Sequence, residues 1–394
     1  MTSVSANGST IGVTTPVGFR AAGVTAGLKA SGKRDVALVV NDGPKHAAAA
    51  VFTANRVAAA PVLWSRQAIS DGRADAVLLN SGGANACTGP EGFTNAHTSA
   101  EQVATALGIA AGDVLVCSTG LIGVPLPMPQ LGAGITTAVG ALTVDGGPAA
   151  AEAIMTTDTV PKQAGHVSED GWSIGGMAKG AGMLAPGLAT MLVVLTTDAD
   201  LPADALDTAL RAATRVTFDR ADSDGCMSTN DTVALLASGA SGQVPDADVF
   251  TAALTGVCAT LARALIADAE GAGHEIAVRT VNAATEDDAV EVSRAVARST
   301  LFKTAIFGQD PNWGRVLAAV GTTRAAYLPD DLNVTINGVQ VCRNCGIGEP
   351  REAVDLSGRQ VDVEIDLGAG TATATVLTND LTHDYVHENS AYSS

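Results

Sequence analysis

Short β-branched runs alternate along the chain with longer stretches of helical period. Val36–Val40, Ala76–Leu79 and Val114–Cys117 are brief apolar runs bounded by Gly, Asn or Asp, a pattern that predicts strands. Thr94–Leu107 and Met128–Leu142 are Ala-rich with apolar residues at helical spacing, as are Asp204–Arg215, Asp248–Glu270 and Glu286–Arg298. Strand patterns return at Thr190–Leu195, Thr232–Leu236, Glu275–Val281, Asn333–Ile336, Val361–Ile365 and Ala372–Val376. This mixed order, with strands gathered toward the C-terminus, predicts an α/β or α+β layered fold rather than an all-parallel barrel. No internal repeat and no low-complexity tract interrupts it.

Composition narrows the picture. At roughly 100–200 residues per domain, 394 residues make two or three units or one large layered fold. The 46% hydrophobic content supports a sizeable core, and with 3% aromatics that core must be built from Ala, Val, Leu and Ile. A formal net charge of −18, with no basic run to offset it, argues against nucleic-acid binding. No apolar stretch is expected to reach the roughly 18–20 residues that span a bilayer. The first residues lack a basic segment followed by an apolar one, so no signal peptide is expected. Six scattered cysteines in a chain of this size fit a reducing cytoplasm.

Several common signatures are missing. The chain has no P-loop, no G-x-G-x-x-G, no H-E-x-x-H and no G-x-S-x-G. Cys342-Arg343-Asn344-Cys345 is a lone C-x-x-C without the second pair that zinc would want, so a structural or incidental pair is expected. His383 and His387 stand four apart and read as surface residues rather than metal ligands.

The most unusual stretch runs from Lys179 to Leu192, a Gly/Pro loop feeding an apolar strand. Thr190 is its first hydroxyl. Threonine at a strand start is more often structural, but a second reading makes Thr190 a nucleophile. Cutting the Ala189–Thr190 bond would free an α-amino group with an ordinary pKa of about 7.7–8.0, placing a general base on the same residue as the hydroxyl. Such chemistry also needs donors for an oxyanion. Cys117-Ser118-Thr119-Gly120-Leu121-Ile122-Gly123 ends a predicted strand in a glycine-rich turn, which reads either as an ordinary strand-to-loop transition or as that set of donors.

These stretches resemble those of the ornithine acetyltransferase, or glutamate N-acetyltransferase, family. Further matches are Val17–Phe19 through Gly27–Lys29, Asn80-Ser81-Gly82-Gly83-Ala84-Asn85-Ala86-Cys87-Thr88-Gly89 and Ile154-Met155-Thr156-Thr157-Asp158-Thr159. Ser228-Thr229-Asn230-Asp231-Thr232, Asp310-Pro311-Asn312-Trp313-Gly314-Arg315 and the closing Tyr385–Ser394 complete a series that covers essentially the whole chain in order. The resemblance implies a two-layer sheet core flanked by helices, N-terminal-nucleophile-like, self-cleaved into two intertwined chains. Those would be 1–189, with the oxyanion turn and cleavage loop, and 190–394, with the N-terminal Thr190 and a C-terminal substrate-binding region.

It further implies cleavage between Ala189 and Thr190, oxyanion stabilisation by Thr119 and Gly120, and substrate contacts from Thr157, Lys179, Thr190, Glu270, Asn389 and Ser394. Lys179 would pair with a carboxylate and Glu270 with an ammonium group. The implied reaction moves acetyl from N2-acetylornithine to glutamate through an acetyl-Thr190 intermediate, releasing ornithine and N-acetylglutamate, with no metal or organic cofactor. Acetyl-CoA is open as a second donor. A heterotetramer of two α and two β chains, in the cytoplasm, is the implied assembly. One departure stands out: Gly273-His274 replaces the family's usual Thr-Lys after Glu270-Gly271-Ala272, which removes a positive charge unless His274 is protonated. The rival readings are a self-cleaving aminopeptidase or amidase, with water as acceptor, and a non-catalytic amino-acid-binding protein.

Overall fold

The computed structural model describes residues 11–185 and 191–391. Among the described residues, fifteen strands form three sheets. The first holds β1 (Phe19–Val24), β2 (Val36–Asn41), β4 (Ala76–Asn80) and β5 (Val114–Ser118), in that order, with only the β4–β5 pair parallel. The second holds β3 (Ala47–Phe52), β6 (Lys162–Val167), β7 (Ser173–Lys179), β8 (Leu192–Thr197) and β9 (Thr232–Ala237). Its order is β3-β9-β8-β7-β6, so strands from before and after residue 190 lie side by side.

Side-chain alternation along the second sheet explains the layering, since successive residues of a strand face opposite ways. Met177, Leu192, Val194, Ala234 and Leu236 share one core with the first sheet. Val193, Leu195, Val233 and Leu235 face the other way, onto α5 (Ala203–Val216) and α6 (Ala247–Ala267). The outer face of the first sheet is covered by α1 (Ala60–Ala68), α2 (Gly89–Leu107), α3 (Met128–Gly140) and α4 (Gly147–Ala153). The result is two stacked sheets between helices, as the resemblance implies. Small side chains make this work: β3 reads Ala-Ala-Ala-Ala-Val-Phe.

A third sheet carries β10 (Glu275–Ala283), β11 (Asn333–Ile336), β12 (Val339–Arg343), β13 (Gly346–Ile347), β14 (Gln360–Asp366) and β15 (Ala372–Asn379). It builds its own core with α7 (Glu286–Ala297), α8 (Thr300–Phe307) and α9 (Trp313–Val320). Helix α7 starts cleanly because Thr285 caps the Asp288 N–H and three acidic residues fill the first turn. α10 (His383–Ala391) follows β15.

Two expectations need correction. Helix α6 is, by length and composition, apolar enough to cross a membrane. The sequence reading missed this because Ala, Thr and Gly dilute the pattern. Its Phe250, Leu254, Val257, Leu261 and Leu265 instead pack into the core of the second sheet. The strand expected from Thr190 begins at Leu192, and Thr190 lies outside the described residues.

The C-x-x-C is a hairpin turn. Arg343 pairs with Gly346 across it, and Asn344 and Cys345 both take positive φ, the twist that a two-residue turn between right-handed strands demands. All six cysteines are free, and no cluster able to hold a metal occurs among the described residues.

Candidate active site

Strand β5 ends at a cavity of about 380 Å³ whose lining includes Thr119, Gly120, Thr157, Lys179, Glu270 and Asn389. Six of the residues singled out in the sequence are thus brought together from segments up to 270 residues apart. Ala189, Thr190 and Ser394 lie outside the described residues.

The Thr119–Gly120 turn is built by its surroundings. Thr119 N–H donates to the Asn80 carbonyl at 3.0 Å, and the Gly83 N–H donates back to the Thr119 carbonyl at 3.0 Å. Asn230 donates to the carbonyls of Ser118 at 2.8 Å and Ala84 at 2.6 Å, locking both strands of the turn. Gly120 sits at φ +132°, where a Cβ would stand 2.8 Å from Gly83 N; only glycine fits. The Gly120 N–H has no hydrogen-bond partner among the described residues.

Lys179, the last residue of β7, is buried, and its Nζ donates to Thr119 Oγ1 at 3.2 Å. Because Thr119 Oγ1 accepts that bond, its own proton is left to donate elsewhere. The Thr119 hydroxyl and the Gly120 N–H therefore form a pair of donors on the cavity wall, the arrangement that stabilises a developing oxyanion.

Beneath this wall lies an ion network that the sequence did not reveal. Lys162 Nζ donates to Asp158 Oδ1 and Asp268 Oδ2, both at 2.6 Å. Asp158 also accepts the Gly180 N–H at 2.7 Å. Burial alone would raise the Asp158 carboxyl, but Lys179 and Lys162 outweigh it and hold the group at about 2. Burial lowers the Lys179 ammonium, with Asp158 opposing. Lys29, also on the lining, is brought down to about 8 by burial.

The lining also carries a carboxylate. Glu270 follows α6 and is fixed by its N–H to the Ala181 carbonyl at 2.9 Å. Gly182 lets its carboxylate approach, since a Cβ there would lie 2.5 Å from Glu270 Oε2. Asn389 on α10 donates to the same Oε2 at 2.8 Å. Two lysines and a carboxylate on one lining suit a small molecule that carries both a carboxylate and an ammonium group.

His274 does not line the cavity. Its Nδ1 lies 2.7 Å from Asp380 Oδ2 and its Nε2 lies 3.2 Å from the Leu356 carbonyl oxygen. The departure from the family pattern therefore falls on a buried pair between β10 and β15 and leaves the cavity wall unchanged. The other missed residues, Asn230 and Asp231, had one visible signal: an amide and a carboxyl placed directly before the strand Thr-Val-Ala-Leu-Leu-Ala.

Comparison with known proteins follows the same line. The chain is 65% identical to the arginine biosynthesis bifunctional protein ArgJ of Streptomyces coelicolor, over 97% of this chain and the whole of that protein. It is 63% identical to the ArgJ of Thermobifida fusca, with the same coverage. The solved structure of the Mycobacterium tuberculosis ornithine acetyltransferase complexed with ornithine is 57% identical, covering 46% of this chain and 96% of that one, with a TM-score of 0.45. A model of the ArgJ family matches residues 20–394, a span that takes in every wall of the cavity, and the chain belongs to that family.

Proposed function

We infer that this chain is an acyltransferase of arginine biosynthesis that moves acetyl from N2-acetylornithine to glutamate. The observation that carries the reading is that the Lys179–Thr119 contact and the Asn389–Glu270 contact line one cavity. Lys179 lies in register with Leu192, two residues beyond Thr190. That register supports the reading of Thr190 as the nucleophile.

The proposed chemistry begins with self-cleavage. The Thr190 hydroxyl attacks the Ala189 carbonyl carbon, the amide nitrogen takes up a proton as its C–N bond breaks, and water releases the ester. The pieces are 1–189 and 190–394. In transfer, Thr190 Oγ attacks the acetyl carbonyl while its proton passes to the α-amine. The Thr119 hydroxyl and Gly120 N–H hold the oxyanion. When the C–N bond breaks, the α-ammonium returns the proton to the departing ornithine amine. Glutamate then attacks the acetyl ester, with the same amine as base. Lys179 and Lys29 suit the substrate carboxylate, and Glu270 with Asn389 the side-chain ammonium of ornithine. Thr157 and Ser394 complete the proposed contacts, acetyl-CoA is an alternative donor, and a cytoplasmic heterotetramer of two copies of each piece is the proposed assembly.

The test has two parts. N-terminal sequencing of the denatured protein should read Thr-Met-Leu-Val beside the native start. Double-reciprocal plots for acetylornithine and glutamate should be parallel, with acetyl-Thr190 trapped when glutamate is withheld. Sustained ornithine release over many turnovers without glutamate would favour the amidase instead.

A further inference from the structure

The segment Ser228–Thr232 has no task in this chemistry beyond the Asn230 clamp, yet it holds the most deeply buried carboxyl beside the start of β8. Asp231 immediately precedes β9, whose first residue, Thr232, is in register with Leu192. Its side chain is fully buried. Oδ1 accepts the Met191 N–H at 3.1 Å. Oδ2 is inaccessible, with the Ser228 and Thr53 hydroxyls close to the carboxyl.

The Met191 N–H belongs to the same peptide unit as the Thr190 carbonyl, and that unit is planar. A group that fixes one edge of the plane fixes the direction in which the preceding residue leaves it. We propose that Asp231 is a positioning residue for Thr190: Oδ1 holds the Thr190–Met191 peptide unit through the Met191 N–H. The proposal rests on the reading of Thr190 as nucleophile. It concerns both self-cleavage and transfer, because each requires the same hydroxyl to meet a carbonyl on one trajectory.

Burial pushes the Asp231 carboxyl well above the usual carboxylate range, with the Met191 N–H and the Ser228 and Thr53 hydroxyls opposing. An amide has the same shape and an oxygen that accepts the Met191 N–H as Oδ1 does. Asp231→Asn therefore keeps the positioning bond, whereas Asp231→Ala removes it.

The experiment compares the full-length wild type, D231N and D231A by time-resolved denaturing gels with N-terminal sequencing, by thermal melting, and by kcat and KM for acetylornithine. D231A should cut about tenfold more slowly or worse, and its cut fraction should lose about tenfold or more in kcat with KM within about twofold. D231N should stay within about threefold of wild type in both. A D231A that cuts and turns over normally overturns the proposal, and so does one whose loss lies in KM. Equal losses in D231N and D231A overturn it as well, since an ionised carboxylate would then be required. If D231A does not fold, D231N decides alone: near-wild-type behaviour supports the positioning role, and a loss of about tenfold in kcat overturns it. A wild-type chain with no new Thr190 terminus would show instead that the nucleophile was misassigned, and the proposal would fall with it.

Discussion

Lys179 Nζ donates to Thr119 Oγ1 at 3.2 Å, so a buried ammonium at the end of one strand sets the direction of a hydroxyl at the end of another. Lys179→Met should release that hydroxyl and leave Asp158 with one counter-charge fewer. Loss of one oxyanion donor typically costs about a hundredfold or more in rate. The expected result is a fall of that size in kcat for protein whose cleavage has been verified by gel. Unchanged turnover would mean that Lys179 serves only to balance Asp158.

Asn389 anchors α10 to the cavity wall through Glu270 Oε2 at 2.8 Å. Asn389→Ala should raise KM for acetylornithine by about tenfold, the scale of one bond to a charged group. Self-cleavage should proceed at the parental rate, because Asn389 bonds Glu270 and the Tyr385 carbonyl rather than the Thr119 turn. Steady-state kinetics beside a cleavage time course separates the two effects.

Gly182→Ala tests the same wall from beneath. A Cβ 2.5 Å from Glu270 Oε2 must push the carboxylate aside. Weaker ornithine binding by calorimetry, with melting temperature little changed, is the expected outcome. Parental affinity would show that Glu270 has another way to reach the ligand.

Asp158 ties stability to pH. Its carboxyl is held at about 2, burial being outweighed by Lys179 and Lys162, while an unfolded aspartate titrates near about 3.9. Because the folded value is depressed, the stabilisation is fully present above pH ~4 and is lost as pH falls toward ~2, roughly 2–3 kcal/mol in all. Urea midpoints at pH 6, 4 and 3 should drop across this window, and Asp158→Asn should flatten the drop while lowering the midpoint at pH 6.

His274→Ala should cost about 3 kcal/mol of stability, since it strands a buried Asp380 carboxylate that otherwise keeps only two backbone partners. KM for acetylornithine should not move. A large KM change would place His274 nearer the substrate than its contacts do.

Much of this architecture was legible in the sequence, and the gaps have physical causes. β2, β4 and β5 are compact β-branched runs, and α2, α5 and α7 have clear apolar faces. β3 was invisible because four consecutive alanines favour neither period, and β7 because Gly175 and Gly176 hide a strand inside Ser-Ile-Gly-Gly-Met-Ala-Lys. Thr119, Gly120, Lys179, Glu270 and Asn389 were singled out by resemblance, and their convergence depends on sheet topology that no local pattern encodes. The Asp158–Lys162–Asp268 network escaped because its partners lie 106 residues apart and no spacing rule links them.

The strand order of the second sheet constrains how the protein comes to exist. Among the described strands β3 pairs with β9 alone, and β7 needs β8 as its inner neighbour, so each side of residue 190 lacks partners that the other supplies. A polypeptide ending at residue 189 would present β3 and the β6–β7 hairpin with bare hydrogen-bonding edges; one beginning at residue 190 would present β8 and β9 the same way. A proteolytic cut at that point is thus safe only after folding. Two genes encoding the halves separately would be a poor substitute for one, because the continuous chain is the template that threads the strands.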